Sequence, residues 1–291
     1  VRVGFVRSVL WSRYGPFWER LIREAAGDVV VASAPEVERW WADPRLDAIS
    51  GRAFRLAGAE ALALASCDLL LVPAVNAGYE GHRGSAQDPF VADLPASLAQ
   101  VLAGLPRVVG IPTDLDAEGL EALAVTVLHI VNPSPGLVRR VWQTHRTYAK
   151  PRSLPGVPAP SLGSPRLPVA LVGQPWNLND AVASLVAREG EAFLRADHLP
   201  VALLREEGWR LDPKMAPSDA EALGAVRRFA RRSDVTRFRL IVDPESGADA
   251  WLAKRVRDVA RKPVEEIQLP AGAFQGVFPQ VGDETLGEAP S

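Results

Sequence analysis

The chain has 291 residues, 47% of them hydrophobic, with a formal net charge of −2 and one cysteine, Cys67. That length allows two domains of ordinary size with sizeable cores. The near-neutral charge offers no global attraction to nucleic acid or anionic lipid, and a lone cysteine excludes an intramolecular disulfide and an all-cysteine metal site within one chain. No run approaches the roughly 18 apolar residues of a membrane span, and the sequence opens on a strand instead of a signal peptide, so the expected location is cytoplasmic.

Val1 to Val6 reads as a first strand. The aromatic stretch Arg7 to Trp18 follows, then a helix through Ala26 with Phe17, Leu21, Ile22 and Ala25 inward. Gly27 stops the helix and Asp28 to Ala32 is a second strand, a βαβ start. A short helix spans Glu36 to Trp41 and a longer one Arg55 to Ser66, before the buried strand Asp68 to Pro73. The long polar loop Asn76 to Pro89 leaves the carboxyl end of that strand, where function usually collects. Helix Leu94 to Ala103, strand Arg107 to Ile111, a helix from Asp116 and a helix Leu137 to Tyr148 complete this half.

Lys150 to Pro168 holds six prolines and no apolar period, which marks a semi-rigid connector. The predicted organisation is an α/β domain over 1–150, a connector over 151–167, a second α/β domain over 168–275 and a tail over 276–291. In the second domain Val169 to Val172 is a short unalternated apolar run, as in a parallel strand covered on both faces. Gly173 ends it, and Asn179 or Asp180 caps a helix with Ala181, Val182, Leu185 and Val186 on one face. Residues 188–213 give no assignable pattern. Ser218 caps a helix with Ala222, Val226 and Phe229 inward; strand Arg239 to Val242, loop Asp243 to Gly247, helix Ala248 to Arg261 and strand Val264 to Leu269 follow. The fold class is α/β: two Rossmann or flavodoxin-like units, with mostly parallel sheets, facing across a cleft.

Ligands of open α/β sheets sit beyond the carboxyl ends of strands. Candidate ligand-binding residues are therefore Arg7 and Trp11 after the first strand, and Asn76, His82 and Asp88 in the long loop. Gln174, Trp176, Asn177 and Asp180 follow Val172, and Asp243 and Glu245 follow Val242. The same Asx residues also read as plain helix caps. His82, His129, His145 and His198 are scattered, with no pair at metal-ligand spacing, so no metal site is predicted. Nucleophile-elbow, phosphate-loop and dinucleotide glycine motifs are absent, which removes the usual support for hydrolase, NTPase and dinucleotide readings. Arg227, Arg228, Arg231 and Arg232 form a basic helix stripe that reads as a solvated face or as a phosphate contact. Trp11, Trp18, Trp40 and Trp41 lie close in sequence and are candidates for an apolar wall or an interface.

Four segments in order carry a family resemblance. Val3-Gly-Phe-Val-Arg-Ser-Val-Leu-Trp-Ser-Arg-Tyr-Gly-Pro-Phe-Trp18 with Val29 to Ser33 resembles the opening of 2-hydroxyacyl-CoA dehydratase subunits. Leu171-Val-Gly-Gln-Pro-Trp-Asn-Leu-Asn-Asp180 resembles that family's Gly-Arg-Pro-Tyr-Asn-x-x-Asp segment, and Asp68 to Pro73 and Arg261 to Gln268 fall in the expected order. The resemblance implies an iron–sulfur cluster held by cysteines on three loops. At those places this chain has Ile49-Ser-Gly-Arg-Ala-Phe54, Asp88-Pro-Phe90 and Val242-Asp-Pro-Glu-Ser246, and Cys67 stands at the start of a strand instead.

The expectation is a scaffold without the metal chemistry and without a cofactor, because clusters need several converging thiolates. Two functions follow. One is a cluster-free relative that binds a small anionic or acyl-CoA-like ligand between the halves, or serves as the non-catalytic partner of a related subunit or of a second copy. The other is a redox-neutral enzyme, a lyase or hydrolase, using Asp88, Asp180, Asp243 and Glu245, with His82 or with a divalent metal that the four carboxylates would hold.

Overall fold

The computed structural model describes residues 1–150, 167–270 and 273–274. The predicted connector and tail lie outside them, except that Leu167 opens a strand. The first unit runs β1 (Arg2–Phe5), α1 (Trp11–Glu24), β2 (Asp28–Val30), α2 (Ala34–Trp40), α3 (Arg52–Ala63), β3 (Leu69–Ala74), α4 (Pro89–Ala92), α5 (Leu94–Val101), β4 (Arg107–Pro112), α6 (Leu120–Val131) and α7 (Pro135–His145). The second runs β5 (Leu167–Gly173), α8 (Asp180–Leu185), β6 (Glu191–Arg195), α9 (Val201–Trp209), α10 (Pro217–Ala230), β7 (Arg237–Val242), α11 (Gly247–Ala260) and β8 (Val264–Gln268).

Each unit contains one four-stranded sheet, and every strand pairing in both is parallel. The orders are β2-β1-β3-β4 and β6-β5-β7-β8, so both units wind the same way, in the flavodoxin-like sense. Strand alternation builds three layers in the first unit. Val3, Phe5, Leu69, Leu71 and Ile111 face α1, α6 and α7, while Leu70 and Val72 face α2, α3 and α5. Cys67 belongs to this second layer and is 6% exposed, a small apolar side chain beneath Gly4.

Three expectations need correction. Helix α1 begins at Trp11, six residues before Phe17, and tolerates Pro16 in its early turns. Leu185 is 54% exposed, because α8 is only six residues long and turns that position outward; Val182, Ala183 and Val186 carry the buried face. The segment without a pattern holds β6 and α9. β6 is an edge strand with one fully buried residue, Leu194, so it lacks an apolar run. Helix α9 crosses α10 so closely that Gly208 and Gly224 each meet the opposing backbone where a Cβ would stand.

The four early tryptophans do not form one wall. Trp11 and Trp18 pack with the α1 layer, Trp40 packs on the α3 layer, and Trp41 is exposed beside Arg55. The basic stripe on α10 has a local explanation: Glu207 of α9 accepts from Arg227 and Arg231, and also from Arg210.

Candidate functional site

In each sheet the strand order reverses beside the first strand, so the topological switch points lie between β1 and β3 and between β5 and β7. Both open toward the seam between the units. The loop after β3 and the loop after β5 meet there: Gln174 Nε2 donates to Ser85 Oγ at 2.7 Å.

Most of the polar residues after these strands are spent on joining the units. Asn76, 3% exposed, accepts the Ser218 backbone N–H at 3.0 Å and donates to Ser218 Oγ and the Val91 carbonyl. It therefore caps α10 from across the seam, the role expected of Ser218 itself. Asp243, 2% exposed, accepts the Arg52 N–H at 2.5 Å and so caps α3 of the first unit. Asp219 on α10 accepts the Ser85 N–H at 2.9 Å, and Gln174 Nε2 reaches its other oxygen at 3.3 Å. Arg13 of α1 bonds Glu221 of α10 at 2.9 Å, and Arg205 of α9 bonds Asp114 after β4 at 2.6 Å.

Trp176 leaves the second unit altogether. Its indole sits in the α3 layer of the first unit, 5.0 Å from the Phe54 ring, and it is 4% exposed. Asn177, fully buried, donates to Asp249 at 2.6 Å; Asp249 also accepts the Asp243 N–H at 2.6 Å. Burial pushes the Asp249 carboxyl up to about 8, with the neighbouring charge of Asp243 adding to it, so it is protonated at neutral pH. Burial likewise raises Asp219, and takes Glu60 of α3 to about 7 although it accepts the Arg7 and Ser8 backbone N–H groups.

The remaining candidates do not join one site. Arg7 stacks on Trp11 at 4.5 Å and pairs with Glu19 at 2.9 Å, all within the first unit. His82 is exposed in its loop. Asp180 is 92% exposed and paired with Arg195 of the edge strand; Glu245 is half-exposed and bonds Arg52 at 3.2 Å. Asp88 caps α4 through the Phe90 N–H at 2.9 Å. Each of the four carboxylates thus has a structural partner, Arg52 serving both Asp243 and Glu245, and among the described residues no three His, Cys, Asp or Glu side chains are arranged to hold a metal ion.

Three loops do converge. Ser50 before α3, Asp88 at the end of the long loop with Phe90 of α4, and Gly247 and Ala248 at the start of α11 line one pocket of about 400 Å³, with Trp251 as a further wall. No protein-family model, curated protein or solved structure matches this chain. The pocket walls themselves test the cluster that the family resemblance implies. They include no cysteine, and Cys67 is buried in the first unit's core, so the residues present do not fit an iron–sulfur cluster. Sequence reasoning missed Trp251 and Arg255, one turn apart on α11, and passed over Arg83 inside a loop it had singled out. The available signal was their position: α11 begins directly after the Asp243 loop at a switch point.

Among the described residues no helix is long and apolar enough to cross a membrane.

Proposed function

We propose that the chain is a cluster-free relative of the 2-hydroxyacyl-CoA dehydratase subunits. It binds a small anionic or acyl-CoA-like ligand at the seam between its units, alone or as the non-catalytic partner of a related subunit. One observation supports the reading: Ser50 and Asp88 to Phe90, from two of the three segments at which the resemblance implies cysteine loops, wall a single pocket with Gly247 and Ala248, which directly follow the third. Its volume of about 400 Å³ suits a small organic group, within the ordinary range of ligand sites of about 300–1,000 Å³. Its walls include hydroxyl and aromatic groups with the Gln87 amide and the Asp88 carboxylate, which orient a ligand without supplying redox chemistry. Nothing favours the acid–base reading of Asp88, Asp180, Asp243 and Glu245, since each already has a structural partner.

Thermal unfolding with CoA esters, nucleotides and divalent cations tests this, because a ligand that binds only the folded state raises Tm. A CoA ester or similar organic anion is expected to raise Tm in the wild type and not in Ala48→Trp, which fills the pocket from an exposed wall position. A shift with divalent cations alone would overturn it.

A further inference from the structure

A second pocket, of about 350 Å³, adjoins the first, and Gly84 and Trp251 line both. Its other walls include Arg83 from the loop after β3 and Arg255 from α11, one guanidinium from each unit. Asp212 and Asp219 line it too, and three of their four carboxylate oxygens hold structural hydrogen bonds. Asp212 accepts the Lys214 N–H at 2.9 Å, and both Asp219 oxygens are engaged by Ser85 and Gln174. The arginine donors are not spent. Arg255 has only a 3.8 Å contact with Asp258 on its own helix, and the Arg83 side chain makes no hydrogen bond or ion pair among the described residues.

A pocket whose guanidinium donors are left over and whose acceptors are mostly occupied selects an acceptor-rich group, and planar guanidinium forks match the oxygens of phosphate and carboxylate. Trp251 offers an aromatic wall on which a planar or apolar body can lie. Gly84, at φ +61°, keeps the ridge between the pockets low; a Cβ there would run into Asp219 and the Trp251 ring.

We propose that the two pockets form one bipartite site for an elongated organic oxyanion. Its apolar or aromatic body occupies the three-loop pocket, its middle crosses Trp251, and its terminal phosphate or carboxylate is held between Arg83 and Arg255. The body half rests on the function proposed above; the anion half stands on the arginines alone.

Calorimetric titration of the full chain with phenyl phosphate, benzoate and inorganic phosphate separates the halves. Phenyl phosphate is expected to bind, with Arg83→Gln and Arg255→Gln each weakening it about tenfold or more and the exposed Arg228→Gln leaving it unchanged. Neither arginine holds a structural partner closer than 3.8 Å, so both variants are expected to keep the wild-type Tm. Stronger binding of phenyl phosphate than of inorganic phosphate, lost in Ala48→Trp, supports the bipartite form. Arginine-dependent binding of inorganic phosphate that gains nothing from the phenyl group would overturn the body half and leave the anion subsite. Binding that ignores both arginine variants, or no saturable binding of any probe, would overturn the anion subsite. Benzoate against phenyl phosphate reports which oxyanion the arginines prefer.

Discussion

Asn76 and Asp243 occupy equivalent places in the two units: each follows the third strand of its sheet, and each caps a helix of the other unit. The capped helices, α10 and α3, are themselves equivalent, each running into that third strand. The exchange fastens the switch points together and consumes the polar groups that an isolated sheet of this kind would offer to a ligand.

Removing either cap should loosen the seam. Asn76→Ala and Asp243→Ala are each expected to cost about 1–3 kcal/mol, since a buried helix N–H then loses its acceptor. Asp243→Asn keeps an acceptor and should cost less. Urea unfolding reads all three; wild-type midpoints in both alanine variants would show that the caps do not hold the units.

Trp176→Ala deletes a large side chain of the second unit from the core of the first. The expected loss is about 3–5 kcal/mol. Hydrogen exchange should show reduced protection in α3, where Phe54 packs on the indole; protection lost only around β5 would contradict the placement.

Gly208 and Gly224 set the α9–α10 crossing. Gly224→Ala puts a methyl group against the Leu204 carbonyl, and Gly208→Ala puts one against the Ala220 backbone. Each is expected to destabilise by about 1–3 kcal/mol despite the better helix propensity of alanine. An unchanged or higher Tm in either variant would show that the crossing has slack.

Stability should also carry a signature of the two buried acids. Asp249 rises from an ordinary 3.8 to about 8 and Glu60 from 4.5 to about 7, so the folded chain binds more protons than the unfolded chain between those limits. Their contribution is fully present below the unfolded values and is lost as pH climbs toward 7 and 8, at up to about 1.4 kcal/mol per pH unit per group. Asp249→Asn keeps an acceptor for the Asp243 N–H and removes the titration. Its urea midpoint should fall less between pH 6 and 8 than that of the wild type; parallel profiles would place the Asp249 proton elsewhere.

The two parallel-sheet units were legible in the sequence because buried strands such as Leu69 to Val72 and Val169 to Val172 are continuous apolar runs between punctuating Gly, Pro and Asx residues. The inward faces of α1 and α10 followed from helical spacing in the same way. Edge strand β6 and helix α9 escaped because one is partly exposed and the other depends on a glycine contact with a distant helix. The sequence also placed Asn76, Gln174, Asn177 and Asp243 beyond strand ends, but whether such a side chain meets a ligand or a helix end depends on what lies opposite. Only the tertiary structure decided that. Docking of the two units spent Asn76 and Asp243 as caps and Gln174 on Ser85, and brought Arg83 and Arg255, 172 positions apart, to one pocket with their donors free. Local spacing records which backbone a residue sits on; long-range packing determines which of its hydrogen bonds are left over, and a binding site is made from the remainder.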